Sequence, residues 1–310
     1  MMQTLLAITL LIATLLTQPV TLPGQRYLPA IQVNQYRWPQ AGLTVMGLFR
    51  DQLPVIYAAD GSGPPMWVGD WWLGCEMWSS ENGQVYGQGL YHASYVPTVW
   101  SEWDPFLLRC NDGRPVLVGN EPESASQANL TPTEAATLLH TVVTSGWSGP
   151  VYCCGVMVQH VGYMTQVIAE YRRMFGAWPQ GVGVHTHLYV MGPDGSPIIT
   201  SVTDADIARA QAAFDEFMAL LAANGLLGRR VVVSECCVLS NVLSPADVWG
   251  AASRLVNHAM ASGHVATVAW FSVYSAGAPV GSEFVSSDLV TGDQVNDLGR
   301  AWLEWAGVRQ

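Results

Sequence analysis

The chain has 310 residues, half of them apolar and only 12% charged, which excludes a disordered chain and suits one large globular domain with a deep core. Its formal net charge of −11 argues against nucleic acid as a partner, because phosphate binding needs a basic face. All 13 basic residues are Arg, which removes Schiff-base lysine chemistry and lysine-based phosphate cradles.

From the amino terminus, residues 1–18 read as a signal peptide or membrane anchor. Leu5–Leu16 is an apolar run of signal-peptide length, short for a bilayer span. Residues 19–40, with Pro, Gln and Asn, read as a linker. Residues 41–310 then repeat one theme: a short β-rich apolar run, a polar loop, an amphipathic helix. That alternation predicts a parallel sheet with helices outside it. The expected strands are Leu43–Leu48, Trp71–Met77, Ala93–Val99, Pro115–Gly119, Pro150–Val156, Gly181–Tyr189, Arg230–Ser234 and Val265–Tyr274. Eight is the number that closes a barrel whose interior side chains can fill, so the expected fold is a single-domain (β/α)8 TIM barrel. The first βα unit is expected to be irregular, since Asp60–Pro65 is loop chemistry.

Helix starts are written plainly. Thr131-Pro132-Thr133-Glu134 is a capping box with Pro at the first helical position. Ser244-Pro245-Ala246-Asp247 repeats the grammar, and Thr203 or Asp204 caps a helix ending before Gly225. In that helix Ile207, Ala210, Phe214, Phe217 and Leu221 form one stripe for packing on the barrel. Gln294–Ala306 is the expected closing helix.

Six cysteines, Cys75, Cys110, Cys153, Cys154, Cys236 and Cys237, permit disulfides in an exported chain. Neighbouring residues on a regular strand point to opposite faces. That predicts Cys153 or Cys154 meeting Cys236 or Cys237, with buried free thiols the other reading. No CxxC spacing points to zinc.

A TIM barrel carries its chemistry at the C-terminal ends of its strands. Four strand ends here supply Asn120-Glu121-Pro122-Glu123, Glu235, His185-Thr186-His187-Leu188-Tyr189 and Trp270. Two carboxylates aimed at one mouth suit glycosidic cleavage, which needs a proton for the departing oxygen and a carboxylate facing the anomeric carbon. The 13 Trp and 11 Tyr supply flat faces for sugar rings as well as core. His185 and His187, two apart on a strand, share one side and leave a His-x-His metal hydrolase as a weaker reading.

Asn120-Glu121-Pro122, with a strand-borne Glu235 more than a hundred residues on, resembles the clan A glycosidases. More narrowly, Tyr95–Trp100, Val116–Glu123 and Ser126–Ala136, with His187-Leu188-Tyr189 and Trp270-Phe271, resemble the alkali-sensitive-linkage type core of glycoside hydrolase family 128. The likeness spans roughly residues 71–271. It implies a retaining endo-β-1,3-glucanase acting on a polysaccharide. Neither cofactor nor metal is expected, and the chain is expected to act as a secreted or cell-surface monomer. The likeness implies Glu121 as general acid/base and Glu235 as nucleophile. It implies Asn120 on the sugar 2-hydroxyl, His187 and Tyr189 positioning Glu235 or the sugar, Trp270 stacked under a ring, and Trp100 and Trp78 as subsite platforms. Two places depart from the pattern: Gly74–Trp78 lacks a Trp-Tyr run, and Cys236-Cys237 replaces an aromatic after the second Glu. They keep a non-catalytic carbohydrate-binding barrel open as the alternative.

Overall fold

The architecture was taken from a computed structural model that describes residues 41–45, 66–69, 95–111, 113–228, 231–271, 286–291 and 294–306. Strands β1 (Ala41–Val45) and β2 (Met66–Gly69) are followed by β3, which comes in two pieces, Tyr95–Val96 and Thr98–Val99. Then come β4 (Val116–Val118), β5 (Val151–Met157), β6 (Gly183–Tyr189), β7 (Val231–Cys237) and β8 (Val265–Phe271). Every neighbouring pair is parallel. Pro97 splits β3, whose first piece pairs with β2 and whose second pairs with β4. With β1 bonded to β8, the order runs round from β3 back to β3, the (β/α)8 barrel the alternation predicts.

The inner strands are buried on both faces, as parallel strands covered by helices must be, so they read as continuous apolar runs. Helices α1 (Pro132–Thr144), α2 (Val161–Phe175), α3 (Asp204–Ala223), α4 (Pro245–Ala261) and α5 (Asp297–Trp305) alternate with β4 to β8. The expected caps form. Thr131 accepts from the Glu134 amide while the Glu134 carboxylate accepts from the Thr131 amide at 2.7 Å. Thr203 and Asp206 make a second such box, and Ser244 accepts from Asp247. Each cap is worth about 1 kcal/mol. Ile207, Ala210, Phe214, Phe217 and Leu221 are all buried in α3, the stripe expected from their spacing.

Several expectations are corrected. A strand not expected, Met66–Gly69, follows directly on the loop chemistry of Asp60–Pro65; Trp71–Met77 lies outside the described residues, as do the segment 1–18, the linker 19–40 and the body of the first βα unit. Strand β7 runs on to Cys237, past the expected end at Ser234. The closing helix begins at Asp297, because Gln294–Val295 first pairs antiparallel with Val290–Thr291 and Asn296 supplies the cap. The cysteines bond within each neighbouring pair, Cys153 to Cys154 and Cys236 to Cys237, and not across the barrel. The peptide bond inside each pair is cis. Cys75 and the Cys110 side chain lie outside the described residues. Among the described residues no helix is long and apolar enough to cross a membrane.

Candidate active site

The site stands on backbone irregularities at the ends of β4 to β7. Gly119 closes β4 with φ of +89°, and a Cβ there would lie 2.3 Å from the Cys154 carbonyl oxygen. Gly155 interrupts β5 with φ of +69°, where the β5–β6 register shifts. Only glycine lets these two strands approach so closely. The Glu121 amide then donates to the Gly155 carbonyl at 2.9 Å. Glu121 itself has φ of +41°, a left-handed conformation that costs a non-glycine residue roughly 1–3 kcal/mol. Strain kept at that residue indicates that its direction matters. On β7 a second register shift places Ser234 as an extra residue, so Glu235 pairs with His187. Such bulges re-aim a side chain at a barrel rim.

These irregularities bring Glu121, His187 and Glu235 together. The His187 Nδ1–H donates to Glu121 Oε1 at 3.0 Å and lies 3.4 Å from Glu235 Oε2. The three ligand atoms all lie within 4.8 Å of one another. Tyr189 donates its hydroxyl to Glu235 Oε2 in a short hydrogen bond. Burial pushes Tyr189 well above the ordinary tyrosine value, and the charges of Glu235 and Glu121 push the same way, so it stays a donor. Burial opposes a charge on His187. The charge of Glu235, the hydrogen bond to Glu121 and the charges of Glu121 and Glu123 outweigh it and raise the imidazole to about 9. An imidazolium thus lies between two carboxylates.

Its companion His185 behaves oppositely. Burial and the charge of His187 lower it to about 3, with only the hydrogen bond at Val118 working against them. It is therefore neutral, and both ring nitrogens are engaged, Nε2 with the Val118 carbonyl at 3.0 Å and Nδ1 with Ser234 Oγ at 2.9 Å. The two histidines share a face, ring centroids 6.4 Å apart, but His185 has no nitrogen left for a metal. Among the described residues the donor set that could hold a cation is Glu121, His187 and Glu235, not a His-x-His pair.

These two histidines set a stability profile. The raised His187 favours the fold fully below 6.5 and loses that contribution as pH climbs to about 9, a loss of about 3 kcal/mol. The lowered His185 acts on the other side: between about 3 and 6.5 the unfolded chain binds a proton that the fold refuses, so stability rises with pH there. Urea unfolding across this range is expected to give maximal stability near 6.5, with the alkaline fall flattened in His187→Gln.

The remaining predicted residues divide. Asn120 is buried at the end of β4, its Nδ2 3.4 Å from Gln127 Oε1. Trp100 is half-buried just past β3. Trp78 lies outside the described residues. Trp270 does not face the mouth. It is fully buried, donates Nε1–H to the Ser287 carbonyl at 2.9 Å and packs on Trp302 of α5 and Trp249 of α4. It belongs to the outer layer and cannot stack under a sugar. The next residue, Phe271, packs instead with Met157, Tyr189 and Leu239. Glu123, two residues past Glu121, has a structural use: its Oε1 accepts from the Met157 amide at 2.8 Å and pairs with His160 at 2.9 Å, tying the β4 loop to the end of β5. Sequence reasoning missed Ser234 and the structural use of His185. Their only signal was position, one residue before Glu235 and two before His187.

No protein-family model and no curated protein sequence matches this chain. Solved structures share its fold. The endo-β-1,3-glucanase of glycoside hydrolase family 128, subgroup I, from Amycolatopsis mediterranei, crystallised with laminaritriose, is 18% identical with a TM-score of 0.59, over 87% of this chain and all (100%) of that one. The subgroup II endo-β-1,3-glucanase from Pseudomonas viridiflava is 18% identical with a TM-score of 0.56, over 85% and 96%. The catalytic domain of a mannanase from Streptomyces sp. SirexAA-E is 13% identical with a TM-score of 0.51, over 92% and 93%.

Proposed function

We propose that this chain is a retaining glycoside hydrolase that cleaves β-1,3-glucan within the chain, with Glu121 as general acid/base and Glu235 as nucleophile. The observation that carries the reading is the carboxylate pair, with Glu121 and Glu235 oxygens no more than 4.8 Å apart at the ends of β4 and β7. Carboxyls about 5–5.5 Å apart suit double displacement, whereas inversion needs about 6.5–9.5 Å to admit a water. In the first step Glu235 bonds to the anomeric carbon as Glu121 gives its proton to the leaving glycosidic oxygen. In the second, water attacks the glycosyl-enzyme, gives its proton to Glu121 and releases Glu235. The Tyr189 hydroxyl donates to Glu235 Oε2 and so holds the nucleophile in place, while His187 lies against both carboxyl groups, 3.0 Å from Glu121 Oε1 and 3.4 Å from Glu235 Oε2.

The linkage comes from the neighbours: the Amycolatopsis mediterranei enzyme holds laminaritriose in its crystal. Asn120 beside Glu121 is suited to the sugar 2-hydroxyl and Trp100 to a subsite. A polymeric substrate and the apolar run Leu5–Leu16 fit an exported or surface-held enzyme. The test is incubation with laminarin-type β-1,3-glucan, mixed-linkage glucan, xylan and mannan, following products by proton NMR. The expected result is oligosaccharide from β-1,3-glucan with the β-anomer appearing first. Binding without any product would favour the non-catalytic barrel.

The donor set Glu121, His187 and Glu235 keeps a metal-dependent hydrolase as the second reading. A proton already bridges His187 to Glu121, and each carboxylate has its own chemical task. Exhaustive chelation is therefore expected to leave the rate within about twofold, whereas a metal used as Lewis acid or water activator would make its removal cost orders of magnitude.

A further inference from the structure

We propose that His185 and Ser234 form a buried positioning pair that fixes the interval between the two reactive carboxylates. The inference rests on the glycosidase reading above and concerns residues that touch no substrate. His185 lies on β6, between the strands that carry Glu121 and Glu235, and is 1% exposed. The Val118 carbonyl can only accept, so His185 Nε2 carries the hydrogen. The neutral ring then has Nδ1 as acceptor, and the Ser234 hydroxyl must donate to it. One imidazole thus links the last residue of β4 to the bulge residue of β7. Val118 is three residues before Glu121, and Ser234 is next to Glu235.

The ring is gripped from a third side. A Cβ on Gly155 would lie 2.9 Å from His185 Cε1 and 2.7 Å from the Gly119 carbonyl oxygen. Glycine at 155 therefore makes room both for this ring and for the turn that gives Glu121 its backbone partner. β4, β5 and β7 all converge on one uncharged side chain, two residues before His187 on β6. A charged residue there would add to the imidazolium of His187; the neutral tautomer holds the strands without doing so. The single hydroxyl hydrogen of Ser234 goes to His185 Nδ1 at 2.9 Å in preference to the more distant Thr186 carbonyl at 3.4 Å, and the contact lies at the β6–β7 register shift.

The experiment compares wild type with Ser234→Ala, Ser234→Thr and His185→Ala. Sites are counted by covalent labelling with a 2-deoxy-2-fluoro glycoside, and kcat and KM are measured per labelled site on β-1,3-glucan. Misplacing reacting groups by about 1 Å costs about a hundredfold. The expected result is a kcat loss of about tenfold in Ser234→Ala and about a hundredfold in His185→Ala. KM is expected to stay within about threefold and Ser234→Thr to recover toward wild type. Lower thermal stability with unchanged kcat per labelled site would overturn the proposal and leave a structural role only. An inactive wild type would instead refute the glycosidase reading. The proposal would then stand or fall on crystal structures of wild type and Ser234→Ala: widening of the Glu121–Glu235 spacing by more than about 0.5 Å supports it, and no change overturns it.

Discussion

Glu235→Ala is expected to lower turnover of β-1,3-glucan by on the order of ten-thousandfold or more while leaving the barrel folded. The carboxylate is the atom group that bonds to carbon in the proposed first step, so nothing else in the site replaces it. Azide should restore turnover to this variant and yield an α-glycosyl azide, because a small anion fits where the carboxylate was. Glu121→Ala should behave differently. A natural leaving group that needs protonation loses about a thousandfold or more, whereas an aryl glycoside with a good leaving group keeps its first step. Azide should then give the β-product. These opposite stereochemical outcomes separate two chemical tasks from two merely structural acids. The barrel is expected to stay folded because its core is built from the apolar strand and helix residues, to which these two carboxylates, 14% and 13% accessible, contribute little.

Gly119→Ala is expected to have the largest effect on stability, several kcal/mol, read as loss of soluble folded protein or a steep fall in urea midpoint. Two costs combine. An L-side chain at φ of +89° is strained, and its Cβ would meet backbone, the Cys154 carbonyl oxygen at 2.3 Å, which cannot step aside as a flexible side chain could. Gly155→Ala should act similarly, since its Cβ would meet the Gly119 carbonyl oxygen and the His185 ring. Gly146→Ala is the control. Its φ of +90° carries the conformational cost, but nothing lies within 4 Å of the added carbon, so a loss of only about 1 kcal/mol is expected. Equal losses at Gly119 and Gly146 would mean that close strand approach is not what the glycine provides.

What was legible in the sequence is what depends on local pattern. Apolar runs mark β4 to β8 because both faces of a barrel strand are covered, and Thr131, Thr203 and Ser244 mark helix starts because an unpaired amide needs an acceptor. The strand-end rule placed Glu121 and Glu235 in one cleft without any knowledge of their spacing. What failed was parity. Trp270 follows the same rule as Glu235, yet the β7–β8 register shifts twice, and one residue of shift turns a side chain from the mouth to the helix layer. The buried wall of Trp302 and Trp249 that receives it comes from α5 and α4 and is invisible in any short window. The cysteines failed on the same assumption of alternation. His185 and His187 were rightly placed on one face. Their opposite charge states depend on which partners the third dimension supplies, a carbonyl and a hydroxyl for one, two carboxylates for the other. Met66–Gly69 is four residues amid turn formers, too short for a periodic signal.

The most direct measurement is to trap the glycosyl-enzyme. The protein is incubated with an activated 2-deoxy-2-fluoro-β-laminaribioside, digested, and the labelled peptide located by mass spectrometry. Attachment of one glycosyl group to Glu235, with time-dependent inactivation relieved by added β-1,3-glucan, is the predicted result. A label on another carboxylate, or product with inverted configuration and no adduct, would contradict the assignment of these two acids.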